Sequence, residues 1–132
     1  MTAGAEAALQ GTTITPGLTV NNLTRSIKFY EGLGFGVEDR WETDGVLRGV
    51  MLRAGGARIG LSQDDWKKGR DRVKGVGLRL WIGTKQDIDR LAAGAKAAGL
   101  TLTTEPHDTD WGSRAFEVAD PDGFQLTISS DG

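Results

Sequence analysis

Apolar residues alternate with polar or small ones along several short stretches of this chain, and two longer stretches between them repeat at helical spacing. Ile14 to Val20 has the period of two that predicts a strand. Asn22 follows as an N-cap, and Leu23, Ile27, Phe29, Tyr30 and Leu33 then share one face of a helix that Gly34 ends. Phe35, Val37 and Trp41 start another strand. Val46 to Arg53, Gly55-Gly56 and Ala57 to Ser62 read as a hairpin.

The second half gives the same order. Val76 to Ile82 predicts a strand, and Gln86 to Ala98 a helix with Ile88, Leu91, Ala95 and Ala98 on one face and Gly99 as its stop. Leu100 to Thr104 is a strand, and Trp111 to Ile128 a hairpin. Its turn is Asp120-Pro121-Asp122-Gly123, where Pro121 presets φ and Gly123 tolerates a positive φ. The hairpins Arg48 to Leu61 and Arg114 to Ile128 match at an offset of about 66 positions. The pattern therefore predicts an α+β fold of two tandem β-α-β-β-β modules, at about 13–65 and 75–130, within one domain spanning 13–130. Residues 1–12 read as a flexible lead-in. The charged run 66–74 joins the modules, either as a solvated linker or as an arm for a phosphate or polyanion.

Strand parity divides the side chains into two sets. Leu18, Val20, Val50, Leu52, Ile59, Leu61, Leu78, Leu80, Ile82, Phe116, Val118, Leu126 and Ile128 are expected to pack under the helices. Thr15, Gly17, Thr19, Gly49, Met51, Arg58, Gly60, Ser62, Arg79, Trp81, Ala115, Glu117, Gln125, Thr127 and Ser129 fall on the opposite face. That face reads either as a solvated sheet surface or as a lined cavity. Trp81, costly to leave in water, favours the cavity.

Composition narrows the picture further. A chain of 132 residues is long enough to bury a core as one domain. With no cysteine there is no disulfide framework and no thiolate site. A net charge of -2 gives no electrostatic case for nucleic acid, and no apolar run marks a signal peptide or membrane span. These features suggest a cytoplasmic protein. The 20 glycines against 3 prolines suggest tight turns and strands that pass close to other groups.

Several motifs carry a family resemblance over about 13–130. They are Ser26-Ile27-Lys28-Phe29-Tyr30 with Leu33-Gly34-Phe35, Leu80-Trp81-Ile82, Asp110-Trp111-Gly112 with Arg114 and Phe116, and the closing hairpin. With them the chain resembles the glyoxalase/bleomycin-resistance/dioxygenase (vicinal oxygen chelate) superfamily. The resemblance implies a curled mixed sheet with a concave ligand cavity. In many such enzymes that face holds a divalent metal with His and Glu side chains. The matching positions are Thr15, Gly60, Arg79 (or Leu80, one register on) and Thr127, none of which is a normal ligand. The one histidine, His107, is expected in a loop beside Asp108 and Asp110, either as a solvated triplet or as a metal site.

No metal and no other cofactor is therefore expected, and the chain resembles the metal-free, bleomycin-binding branch, which implies antibiotic-resistance-like sequestration and a homodimer. The expected ligand residues are Trp81, Arg79, Trp111, Glu117, Met51, Arg58, Gln125 and Thr127. Trp111 is open between ligand stacking and packing on its own turn, as is Trp66 beside the linker; Trp41 reads as structural. Arg58 and Arg79 beside Glu117 suggest an anionic or neutral ligand rather than bleomycin itself. No nucleophile motif or carboxylate pair is legible, so no catalytic residue is assigned. The alternatives are a lyase, isomerase or dioxygenase of the same superfamily, with or without metal, and a scaffold whose cavity is vestigial.

Overall fold

The computed structural model describes residues 8–131. Residues 1–7 of the expected lead-in lie outside the described residues, and 8–16 join no strand or helix. The first module runs β1 (Gly17–Val20), α1 (Leu23–Leu33), β2 (Gly36–Thr43), β3 (Val46–Ala54) and β4 (Ala57–Gln63). The second repeats it as β5 (Arg79–Thr84), α2 (Ile88–Ala97), β6 (Leu102–Asp108), β7 (Arg114–Ala119) and β8 (Gln125–Ser130). Each module makes its own four-stranded mixed sheet, ordered β1-β4-β3-β2 and β5-β8-β7-β6, with β1 parallel to β4 and β5 parallel to β8.

Local chemistry accounts for the boundaries. The Asn22 side chain accepts from the Arg25 N–H and caps α1, and Gly34, at φ +120°, ends it. Asp87 caps α2 in the same way. Asp44 and Gly45 both have positive φ, as the two-residue turn joining β2 to β3 requires.

The helix-facing sets of both sheets meet in one apolar core. Leu18, Val20, Val50, Leu52, Ile59, Leu61, Phe116, Val118, Leu126 and Ile128 are all buried there, with Tyr30, Phe35 and Ile88 from the helices and their ends. Leu80 and Ile82 pack against this core half-buried.

Four expectations are corrected. Thr15 precedes β1 and is exposed, because regular pairing with β4 begins at Gly17. Leu78 precedes β5 and is 40% exposed, since β5 pairs with β8 only from Arg79 onward. Strand β6 extends past Thr104 to Asp108, so His107 is on a strand and not in a loop. Pro106 is accommodated because β6 is an edge strand with register shifts on either side of Thr104.

The linker is also not simply solvated. Asp64, whose side chain is 4% exposed, receives Arg72 and Lys74, each at 2.8 Å, and Lys74 is itself 5% exposed. Lys74 and Arg72 hold the Asp64 carboxyl well below the usual carboxylate range. Asp64 Oδ1 accepts from the Trp66 N–H at 2.9 Å, and Lys74 Nζ donates to Asn21 Oδ1 at 2.6 Å. The segment is thereby fastened to the end of the first sheet.

Candidate functional site

The faces turned away from the helices carry the expected site residues, and they belong to two different sheets. In the second sheet, Trp81, Thr127 and Glu117 lie side by side on one rung across β5, β8 and β7. Arg79 and Gln125 pair on the next rung. Arg79 Nη1 donates to Thr127 Oγ1 at 2.8 Å and meets Glu117 Oε1 at 3.3 Å. The guanidinium and Glu117 neutralise one another, and Thr127 is buried.

Trp111 projects from the turn between β6 and β7. Ser113 N donates to Thr109 Oγ1 at 3.0 Å, Thr109 N to Ser113 O at 2.8 Å, and Gly112 at φ +89° closes the loop. This geometry sets the Trp111 ring 5.8 Å from that of Trp81, tilted by 59°. The two indoles are 60% and 61% exposed. Together they form an aromatic platform beside a charge-paired polar strip, suited to stacking on a flat ring while fixing its polar edge.

In the first sheet, Met51 and Gly60 pair on one rung, and Arg58 pairs with Arg53 at the sheet's end. Arg58 and Arg53 both reach Glu38, at 3.1 and 2.8 Å. Met51 and Arg58 are therefore not on the sheet that holds Trp81, Arg79, Glu117, Gln125 and Thr127 and from whose β6–β7 turn Trp111 projects. Arg79 is matched one-to-one by Glu117, whereas Arg58 shares Glu38 with Arg53, so two cations there face one carboxylate.

Trp41, read from the sequence as structural, packs on its own sheet. It pairs directly with Gly49, and a Cβ at Gly49 would collide with the indole ring. The ring thus lies over Gly49 on the open face of the first sheet, 43% exposed. The available signal was the glycine at the partner position, which is visible only once the β2–β3 register is known.

The donor set does not suit a divalent metal. Thr15 is off the strand, Gly60 has no side chain, and the Arg79 cation is hydrogen-bonded to Thr127, the one hydroxyl on this face that the family pattern would use. The His107 triplet is dispersed: Nδ1 lies 3.0 Å from Glu105 O, and Asp108 pairs with Arg114 at 3.0 Å. Among the described residues, no three His, Cys, Asp or Glu side chains are grouped to hold an ion. Arg114 also binds Asp89 of α2 at 2.7 Å, an attachment of β7 to its helix rather than a ligand contact.

A groove of about 530 Å³ opens between the modules over Leu33, Phe35, Gly55, Ile82, Leu91 and Ile128. None of the expected ligand residues lines it. No helix among the described residues is long and apolar enough to cross a membrane.

Comparison with known proteins gives one family. The model of the Glyoxalase/Bleomycin resistance protein/Dioxygenase superfamily matches residues 12–128. The chain is similar in structure to a member of that superfamily from Sphaerobacter thermophilus DSM 20745, with 26% identity and a TM-score of 0.70 over 92% of this chain and 98% of that one. It is similar to TioX from Micromonospora sp. ML1, with 19% identity and a TM-score of 0.73 over 91% and 98%. It is also similar to a bleomycin-binding protein solved with bleomycin, with 18% identity and a TM-score of 0.68 over 92% and 100%. None of the curated proteins compared matches the chain.

Proposed function

The chain belongs to the glyoxalase/bleomycin resistance protein/dioxygenase superfamily, and we propose that within it this protein is a metal-free, cytoplasmic homodimer that binds and sequesters a small flat molecule. The observation that carries the reading is the exposed Trp81–Trp111 pair beside the Arg79–Thr127–Glu117 strip. Two indoles held in contact yet left mostly in water are a surface awaiting a partner ring. Sequestration needs only this platform and polar groups to orient the ligand, and no reacting group. The structural neighbour that binds bleomycin supports the same use of the fold. An antibiotic-like ligand is the corresponding class, with Gln125 at the platform's polar edge.

The dimer reading rests on the same faces. Each sheet turns one side to the shared core and leaves the other open, with Trp41 on one and Trp81 and Trp111 on the other. A second copy covers both at once if the first sheet of one subunit closes over the second sheet of its partner.

The test is titration of flat aromatic compounds against intrinsic tryptophan fluorescence. Trp81→Ala is expected to weaken binding by about 1–3 kcal/mol, the range for a lost aromatic stacking partner. Its cost to stability should stay below the roughly 3–5 kcal/mol of a core tryptophan truncation. Unchanged affinity in Trp81→Ala would refute the platform. Elemental analysis of the dialysed protein is expected to find well under one transition metal per chain; one equivalent would favour the enzyme reading.

A further inference from the structure

The open face of the first sheet continues into a basic pocket. Thr19, Ser62, Gly49 and Trp41 lie on one rung across β1, β4, β3 and β2. The three steps span about 14 Å at the usual interstrand spacing. Thr19 and Ser62 thus form a low polar trough beside the Trp41 ring, which covers Gly49. At the other end Thr19 borders a pocket of about 280 Å³, shared with Lys67, Lys68, Arg72, Asp64 and Asp65.

The charges in this pocket are not balanced as those of Arg79 and Glu117 are: Lys67, Lys68 and Arg72 line it against the two carboxylates Asp64 and Asp65. Asp64 has no free oxygen: Oδ1 is taken by the Trp66 N–H, and Oδ2 by both Arg72 and Lys74. Arg72 Nε is buried and has no acceptor among the described residues. Such an N–H lacks the hydrogen bond that buried donors normally make. Lys67 meets only Asp65, at 4.0 Å and largely in water, and no ion pair of Lys68 is found among the described residues. The backbone bearing these cations is held in place, since Arg70 and Lys74 lie over the Trp66 ring at 4.8 and 5.4 Å and Asp64 fixes Trp66 N. A pinned cluster with a buried unused donor and two ammonium groups without a close ion pair among the described residues is suited to receive an anionic oxygen group.

We infer that this pocket, where β1, β4 and the linker meet, is the acid-binding subsite of the first sheet's open face. It takes the carboxylate or an equivalent oxyanion of a ligand whose flat ring rests on Trp41. This rests on the reading of the open faces as ligand faces, and it names the ligand class: a flat ring carrying an acid on a short tether.

The probes are 1-pyrenebutyrate and its methyl ester, alike in ring and tether and different in charge. Both are titrated by calorimetry in low-salt buffer, where pair interactions are least screened. The acid is expected to bind on the order of tenfold tighter than the ester, the ratio of one charge-assisted contact. The double variant Lys67→Gln/Lys68→Gln lies on the exposed linker surface and is expected to bring the acid down to the ester while leaving the ester unchanged. Trp41→Leu is expected to weaken both probes. Equal binding of acid and ester by the native protein, or an acid preference that survives in the double variant, overturns the subsite. So does a Trp41→Leu variant that binds both probes as the native protein does. In these cases ester binding that depends on Trp81 leaves the broader small-molecule reading standing. Failure of both probes to bind at all removes both.

Discussion

The Tyr30 hydroxyl donates a 2.8 Å hydrogen bond to Asp120 Oδ2, joining α1 of the first module to the β7–β8 turn of the second across 90 positions of sequence. Both side chains are buried. Asp120 Oδ1 also accepts from the Asp122 and Phe124 N–H groups, each at 2.9 Å. Asp122 then reaches Asn21 N at 3.0 Å. One turn carboxylate thus organises its own hairpin and fastens it to the other module.

Tyr30→Phe is expected to destabilise the protein by about 1–3 kcal/mol, because a buried acceptor is left without its donor. Urea denaturation measures this. A change of only a few tenths would mean that water or a shifted neighbour replaces the hydroxyl.

Two carboxylates should shape the pH dependence of stability in opposite senses. Burial raises the Asp120 pKa above its ordinary value, so the folded state holds its proton to higher pH than the unfolded chain. Its contribution is fully present below the unfolded value of about 4 and is lost as pH rises through the folded one. Lys74 and Arg72 lower the Asp64 pKa. Its contribution is present above about 4 and is lost as pH falls through the folded value. Melting curves from pH 2 to 7 are therefore expected to show Asp120→Asn gaining on the native protein as pH rises from 4, and Asp64→Asn gaining on it as pH falls below 4. The same trend in both variants would contradict these environments.

Gly49→Ala is expected to fold but to displace the Trp41 ring, since the new methyl occupies the ring's place. The cost is about 1–3 kcal/mol of overpacking. Tryptophan emission should shift to the red as Trp41 moves into water. Unchanged emission with unchanged stability would mean that the ring does not lie on that glycine.

Light scattering at micromolar concentration is expected to report twice the 14.1 kDa of one chain. A 14.1 kDa species would leave the open faces of the two sheets uncovered and would overturn the dimer.

Much of the fold is legible in the sequence because it is local. Alternation placed Leu18, Val50, Leu61, Phe116 and Leu126 on the packed face, and parity put Trp81 opposite them, where it is exposed. Asn22 and Gly34 bound α1 through bonds to residues within four positions. The repeat of matching hairpins implied two modules, and there are two. Periodicity reports only which side of its own strand a residue takes. It is silent on which strands become neighbours, so the strand residues expected to bind a ligand divide between two sheets. It could not show that Arg79 settles on Thr127, 48 positions away, or that Trp41 covers Gly49. Nor could it turn the Asp120 carboxylate inward to Tyr30, or fasten the charged linker to Asp64. Backbone pattern is set by neighbours in the chain, whereas the pairing of charges and buried donors is set by which distant groups the packed core brings within about 3 Å. That is why the sequence by itself determined the elements and their faces, and only the tertiary structure decided the partners.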